Sequence, residues 1–215
     1  MPSIYDLKPR FQSLLRPITR GLAAAGVTAN QVTVAAAVLS IAVGACIAIY
    51  PERRWPLLLV PPFLFVRMAL NAVDGMLARE HGMKSPLGAI LNELGDVIAD
   101  AALYLPFALV PGVHPALVVL VVIEGIISEM TGVVAVQIGS ERRYDGPLGK
   151  SDRAFLFGFI GLLLGCGVET GRWLDGLLVV AIVLLLLTIV NRARHGLAEV
   201  RAASSENGEN SPNSA

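Results

Sequence analysis

Between Asn71 and Asp96 the chain reads N-A-V-D-G-M-L-A-R (Asn71 to Arg79), eight further residues, then G-A-I-L-N-E-L-G-D (Gly88 to Asp96). Both runs lie inside apolar stretches. Read as helices, Asn71, Gly75 and Arg79 climb one face in steps of four, with Asp74 a turn beyond Asn71. Gly88, Asn92, Asp96 and Asp100 repeat the device on the next segment. Small residues such as Ala78 or Gly88 are explained by close helix packing. Two carboxylates, two amides and an arginine in register are not, because each charge costs about 3 kcal/mol or more at membrane depth. The series therefore reads as a functional site.

The surroundings of that series identify its solvent. Hydrophobic residues make up 54% of the 215, and the mean hydropathy of +0.65 places the chain in the membrane class. About 20 apolar residues cross a hydrocarbon core. Six segments qualify, near residues 31–50, 55–78, 86–111, 115–138, 154–170 and 174–193. The expected fold is thus an all-α integral membrane protein with six transmembrane helices. The second, third and fourth segments carry Arg67, Asp74, Glu93, Asp96, Asp100, Glu124 and Glu129, so they must shield a polar interior.

Three regions follow. Residues 1–22 are expected to form an interfacial amphipathic helix, since Ile4, Leu7, Phe11, Leu14, Leu15 and Ile18 recur at helical intervals between basic residues. Pro9 and Pro17 are expected to interrupt it. Residues 23–201 form the six-span domain, and 202–215, ending S-S-E-N-G-E-N-S-P-N-S-A, should be a disordered tail with nothing apolar to bury. A cleavable signal is not expected, because Asp6, Lys8, Arg10, Arg16 and Arg20 leave no compact apolar core near the start.

The 17 basic and 17 acidic residues cancel, but their placement is lopsided. With six spans, Arg53, Arg54 and Arg172 face one side, and nearly all other Lys and Arg face the other. The positive-inside rule then puts both termini and the arginine end of the site in the cytoplasm. No nucleic-acid partner is expected. Cys46 and Cys166 lie in separate apolar runs without metal-ligand spacing and read as inert thiols.

Two helices joined by a short turn can present oxygen ligands to a common cavity. That suits a hard divalent cation, which takes carboxylate and amide oxygens and completes its shell with water and substrate phosphate. Arg79 is the natural phosphate partner beside such an ion.

The spacing resembles the signature of the CDP-alcohol phosphotransferases, also called CDP-alcohol phosphatidyltransferases: D-x-x-D-G-x-x-A-R, eight residues, G-x-x-x-D-x-x-x-D. The T-A-N-Q-V-T run before the first span is similar to that family's T-P-N-x-x-T, departing at Ala29. The resemblance implies six spans, a homodimer and a Mg2+ or Mn2+ centre of one or two ions. It also implies transfer of a phosphatidyl-type group from a CDP-linked lipid such as CDP-diacylglycerol to an alcohol, with release of CMP, in phospholipid biosynthesis.

Carried over by position, Asn71, Asp74, Asn92 and Asp96 would be the metal ligands, with Asp96 also the catalytic base. Asn30, Thr33, Gly75, Arg79 and Ser85 would contact the donor. Asn71 and Asn92 stand where the family has its first and third aspartates, so two negative charges are missing. Weaker metal affinity or a single ion is expected. The alternative is a non-catalytic lipid- or nucleotide-binding relative with a degenerate metal site.

Other polar residues leave their reading open. Arg67, one turn before Asn71, either snorkels, pairs with Glu124 or Glu129, or stands where a metal would otherwise bring positive charge. Lys150, Arg153, Arg192 and Arg194 are topology signals or a pocket for a phosphorylated acceptor, such as a polyol phosphate, or for a lipid headgroup. Glu124 and Ser128 share a face, with Glu129 adjacent, and serve interhelix hydrogen bonding, acceptor recognition or substitute metal ligation. G-P-L-G-K-S lacks the spacing and the preceding strand of a phosphate-binding loop.

Overall fold

A computed structural model describes the backbone of residues 4–209 and the side chains of residues 11–204. Seven α-helices follow one another: α1 (Ile4–Ala24), α2 (Ala29–Ile49), α3 (Trp55–Glu80), α4 (Pro86–Tyr104), α5 (Pro115–Gln137), α6 (Lys150–Gly165) and α7 (Arg172–Glu209), with a 3-10 turn at Leu105–Leu109. The described residues contain no strand.

Helix starts are written locally. The Thr28 hydroxyl accepts from the Gln31 amide at 3.3 Å while the Gln31 side chain accepts from the Thr28 amide at 2.9 Å, a reciprocal capping box that opens α2. Ser85 caps α4 by accepting from Gly88 N at 3.0 Å, and Pro86 occupies a first-turn position where its missing N–H costs nothing.

Helix ends depart from expectation for identifiable reasons. The third apolar segment is helical only to Tyr104, because Pro106 lacks an N–H and clashes with the preceding turn, and the chain tightens into the 3-10 turn. In contrast, α1 runs unbroken through Pro9 and Pro17. Packing of Leu15 and the fully buried Thr19 against α3 holds it there, and tertiary contact overrides propensity. The last helix reaches Glu209, past Arg201 where order was expected to end, while 210–215 lie outside the described residues. Ala202 and Ala203 are strong helix formers, and extending an existing helix is far easier than nucleating one.

Four helices have the length and apolar composition to cross a membrane: α2, α3, α5 and α7. Helix α4 carries Glu93, Asp96 and Asp100, and α6 has only 16 residues. Val38, Ile41, Ile126, Val180 and Leu187 stay exposed on the long helices, as lipid-facing side chains do.

The chain forms two compact units. The first comprises Met1–Pro111 and Gly158–Glu169, the second Gly112–Phe157 and Thr170–Ala215. In the first, α2 packs on α3 and α4, and α1 packs on α3. Leu15, Ala29, Val32, Val73, Met76 and Leu77 make a buried cluster there. Gly44 lies directly against the Ala102 carbonyl, so only a residue without Cβ lets α2 approach α4 this closely. In the second unit α5 packs on α7.

Candidate active site

The first unit brings most of the sequence-predicted site residues onto neighbouring turns of α2, α3 and α4. Asp74 is buried, and its Oδ2 accepts from the Thr33 hydroxyl of α2 at 2.8 Å. Asn30, one turn earlier on α2, lies against Gly88 beside the Ser85 hydroxyl, in space that a Cβ at Gly88 would fill. The Arg79 guanidinium folds back over Gly75, where a Cβ would approach it to 2.9 Å. The side chain itself stays exposed.

Across the helix pair, Asn71 Nδ2 donates to Asp96 Oδ1 at 3.3 Å. Asn92 is exposed, one turn from Gly88 and one turn from Asp96 on the same face of α4. Asn71, Gly75 and Arg79 thus follow one another along α3, and Gly88, Asn92, Asp96 and Asp100 along α4.

Arg67 is only 3% exposed, and its partners are on α4. Nη1 donates to Asp100 Oδ1. Nη2 donates to the Asp96 carbonyl at 3.2 Å and lies 3.7 Å from the Asp96 carboxylate. A snorkelling Arg67 is excluded by this burial, and the acids that hold it are Asp96 and Asp100.

A second polar cluster lies within the second unit. Glu129 of α5 receives Arg153 of α6 at 3.1 Å and Arg192 of α7 at 3.4 Å on Oε1, and Arg142 of the α5–α6 loop at 3.3 Å on Oε2. Arg192 also donates to the Asp145 and Ser128 carbonyls, and Arg153 to the Ser128 hydroxyl. Gly132 makes room, because a Cβ there would collide with the Arg143 carbonyl and crowd Arg142. Three guanidinium groups therefore share one buried carboxylate.

Of the four basic residues grouped from sequence, Arg153 and Arg192 meet. Lys150 opens α6 half-buried, and Arg194 lines a shallow concavity with Asn191, His195, Leu197, Ala198 and Arg201. Arg142 takes the place that sequence grouping assigned to Arg194. Its place on the R-R-Y-D-G-P-L-G-K-S-D-R loop, which brings Arg142, Arg143, Lys150 and Arg153 together in sequence, was the available signal. Glu124 is buried, and its Oε2 has no hydrogen-bond partner among the described residues.

Beyond the membrane-facing surfaces, Asp145 accepts from Arg143 at 2.8 and 3.0 Å, which holds its carboxyl below the usual carboxylate range.

Comparison with known proteins places this geometry. The family model described as CDP-alcohol phosphatidyltransferase matches residues 26–199. Inner membrane protein YnbA of Escherichia coli (strain K12) is 47% identical over 192 residues, 89% of this chain and 95% of that protein. Archaetidylinositol phosphate synthase of Aeropyrum pernix is 30% identical over 134 residues, 62% of this chain and 67% of that protein.

Among solved structures, Mycobacterium tuberculosis phosphatidylinositol phosphate synthase (PgsA1) with CDP-DAG bound gives a TM-score of 0.70 at 21% identity, covering 86% of this chain and 92% of that one. The same enzyme in complex with manganese and citrate gives 0.71 at 21% identity, covering 84% and 88%. At that identity the likeness is one of fold. The family match spans both helix runs of the polar series and both units, and the chain belongs to the CDP-alcohol phosphatidyltransferase family of membrane transferases.

Proposed function

We propose that the protein transfers a phosphatidyl-type group from a CDP-linked lipid, with CDP-diacylglycerol as the first candidate, to the hydroxyl of a small alcohol. The observation that carries this is the convergence on one helix layer of Asp74 with Thr33, Asn30 with Ser85 and Gly88, Arg79 over Gly75, and Asp96. The bound CDP-DAG in the PgsA1 structure and the archaetidylinositol phosphate synthase activity of a relative support the same substrate classes.

In this reading Asp96 takes the proton of the acceptor hydroxyl as its oxygen attacks the phosphorus next to the lipid. The new P–O ester bond forms, the pyrophosphate P–O bond breaks, and CMP leaves with the bridging oxygen. Arg79 offsets the charge gathering on that oxygen. Thr33 fixes the Asp74 carboxylate, and the missing side chains of Gly75 and Gly88 leave room for Arg79 and Asn30 beside the donor.

The carboxylates of Asp74 and Asp96 with the amide oxygens of Asn71 and Asn92 are hard donors of the kind Mg2+ or Mn2+ takes, and PgsA1 has been solved with manganese. When bound, such an ion would supply charge neutralisation of the pyrophosphate. A polyol phosphate is the acceptor class that the archaetidylinositol phosphate synthase relative suggests.

Helices α2 to α7 supply the six crossings, with the site and both termini on the cytoplasmic side and a homodimer as the working assembly. A binding protein without turnover is the second reading, favoured by Asp96 being held by amide and guanidinium donors.

The experiment is direct. Purified protein with CDP-diacylglycerol, Mg2+ or Mn2+, and a panel of alcohols and polyol phosphates should release CMP, and Asp96→Asn should abolish it. Absence of release across all metals and acceptors would overturn the transfer reading in favour of binding alone.

A further inference from the structure

We infer that Arg67 is a resident cation of the site. It competes with metal for Asp96 and limits this chain to a single divalent ion. The inference rests on the transfer reading of the α3–α4 face, but binding tests it independently of turnover.

Arg67, Asn71 and Asp74 follow at helical intervals on α3, and the Arg67 guanidinium is clasped by two acids one turn apart on α4. A buried arginine persists at such depth only when paired, and its planar fork allows contact with Asp96 and Asp100 at once. Asp96 is the carboxylate expected to serve a metal, yet it already has a positive charge within 3.7 Å and an amide donor at 3.3 Å.

Asn71 belongs to the same arrangement. An aspartate there would put a second negative charge across the 3.3 Å gap to Asp96, and only a cation between them would make that tolerable. The amide instead donates, so α3 approaches α4 without a metal bridge.

Charge gives the same answer. Asp74, Asp96 and Asp100 bring three negative charges against the positive charges of Arg67 and Arg79, a net charge of −1 that a single divalent ion already more than cancels. Two ions would leave the site more positive still before the donor arrives. Among the described residues no group of three or more His, Cys, Asp or Glu is arranged to hold a metal.

The test is Mn2+ titration of the purified full-length protein in detergent, with free Mn2+ counted by electron paramagnetic resonance. Wild type should bind no more than one ion per chain. Arg67→Met should tighten Mn2+ binding by about tenfold or more, because a cation beside a ligand carboxylate is removed. Arg67→Met with Asp100→Asn removes both charges of the buried pair, which protects folding, and should tighten binding as well.

Two ions per wild-type chain, or unchanged affinity in a folded variant, would overturn the inference. Failure of CMP release with this stoichiometry intact would instead remove the transfer reading alone.

Discussion

Asn71 donates its side-chain amide to the carboxylate of Asp96 at 3.3 Å, tying α3 to α4. An aspartate at position 71, which the sequence resemblance implies for the family, would set a second carboxylate against Asp96, and the pair would repel without a cation. Here the amide turns repulsion into a hydrogen bond, and the helix pair is held by its own side chains.

Asn71→Asp therefore exchanges a donor for a like charge. In the presence of a chelator the variant should lose about 1–3 kcal/mol, the cost of a broken hydrogen bond plus an unrelieved carboxylate pair. Adding Mn2+ should restore most of it. Thermal unfolding in detergent, with chelator and with Mn2+, reads both values, and a metal-independent melting temperature would contradict the account.

Thr33→Val tests how Asp74 is held. The substitution keeps the shape but removes the 2.8 Å hydrogen bond to Oδ2. Hydrogen bonds to charged groups are worth about 1.5–3 kcal/mol, so CMP release should fall roughly tenfold or more with the fold retained. Far-UV circular dichroism beside the activity assay separates positioning from unfolding.

Gly44→Ala tests the approach of α2 to α4. Its Cβ would meet the Ala102 carbonyl, which is backbone and cannot step aside, so a loss of about 1–3 kcal/mol is expected from overpacking. Gly21→Ala is the control: nothing lies within 4 Å of its Cβ, and a helical glycine replaced by alanine should gain roughly 0.5–1 kcal/mol. Unfolding midpoints should move in opposite directions.

Asp145 sets an acid limb. Its hydrogen bonds from Arg143 hold the folded carboxyl below the ordinary value, so the pair's contribution is present above the unfolded carboxyl range. It is lost as pH falls through the lowered folded value. Stability measured downward from about pH 6 should decline more shallowly in Asp145→Asn than in wild type, most visibly below about pH 4.

Some of this was available from local sequence. The steps of four from Asn71 to Asp100 fall on two helices, α3 and α4, because helical periodicity is an intrachain property. Thr28, Ser85 and Pro86, which open α2 and α4 in the structure, are local signals of the same kind.

Prolines were read less well. Pro106 ended α4 early, where the chain tightens into the 3-10 turn, yet Pro17 did not end α1, where Leu15 and Thr19 pack against α3.

The partners of Arg67 lay beyond local pattern. Its spacing pointed to Asn71, and the acids offered for it from sequence were Glu124 and Glu129, whereas the structure gives it Asp96 and Asp100. Arg142 joined Glu129 from a loop with no period at all.

The sequence by itself determined that the chain is a helical membrane protein with a polar series in the register of its family, because composition and spacing are properties of short segments. Only the tertiary structure decided that Arg67 and Asn71 both serve Asp96, because the choice of charge partner depends on which helix faces meet across many residues of intervening chain.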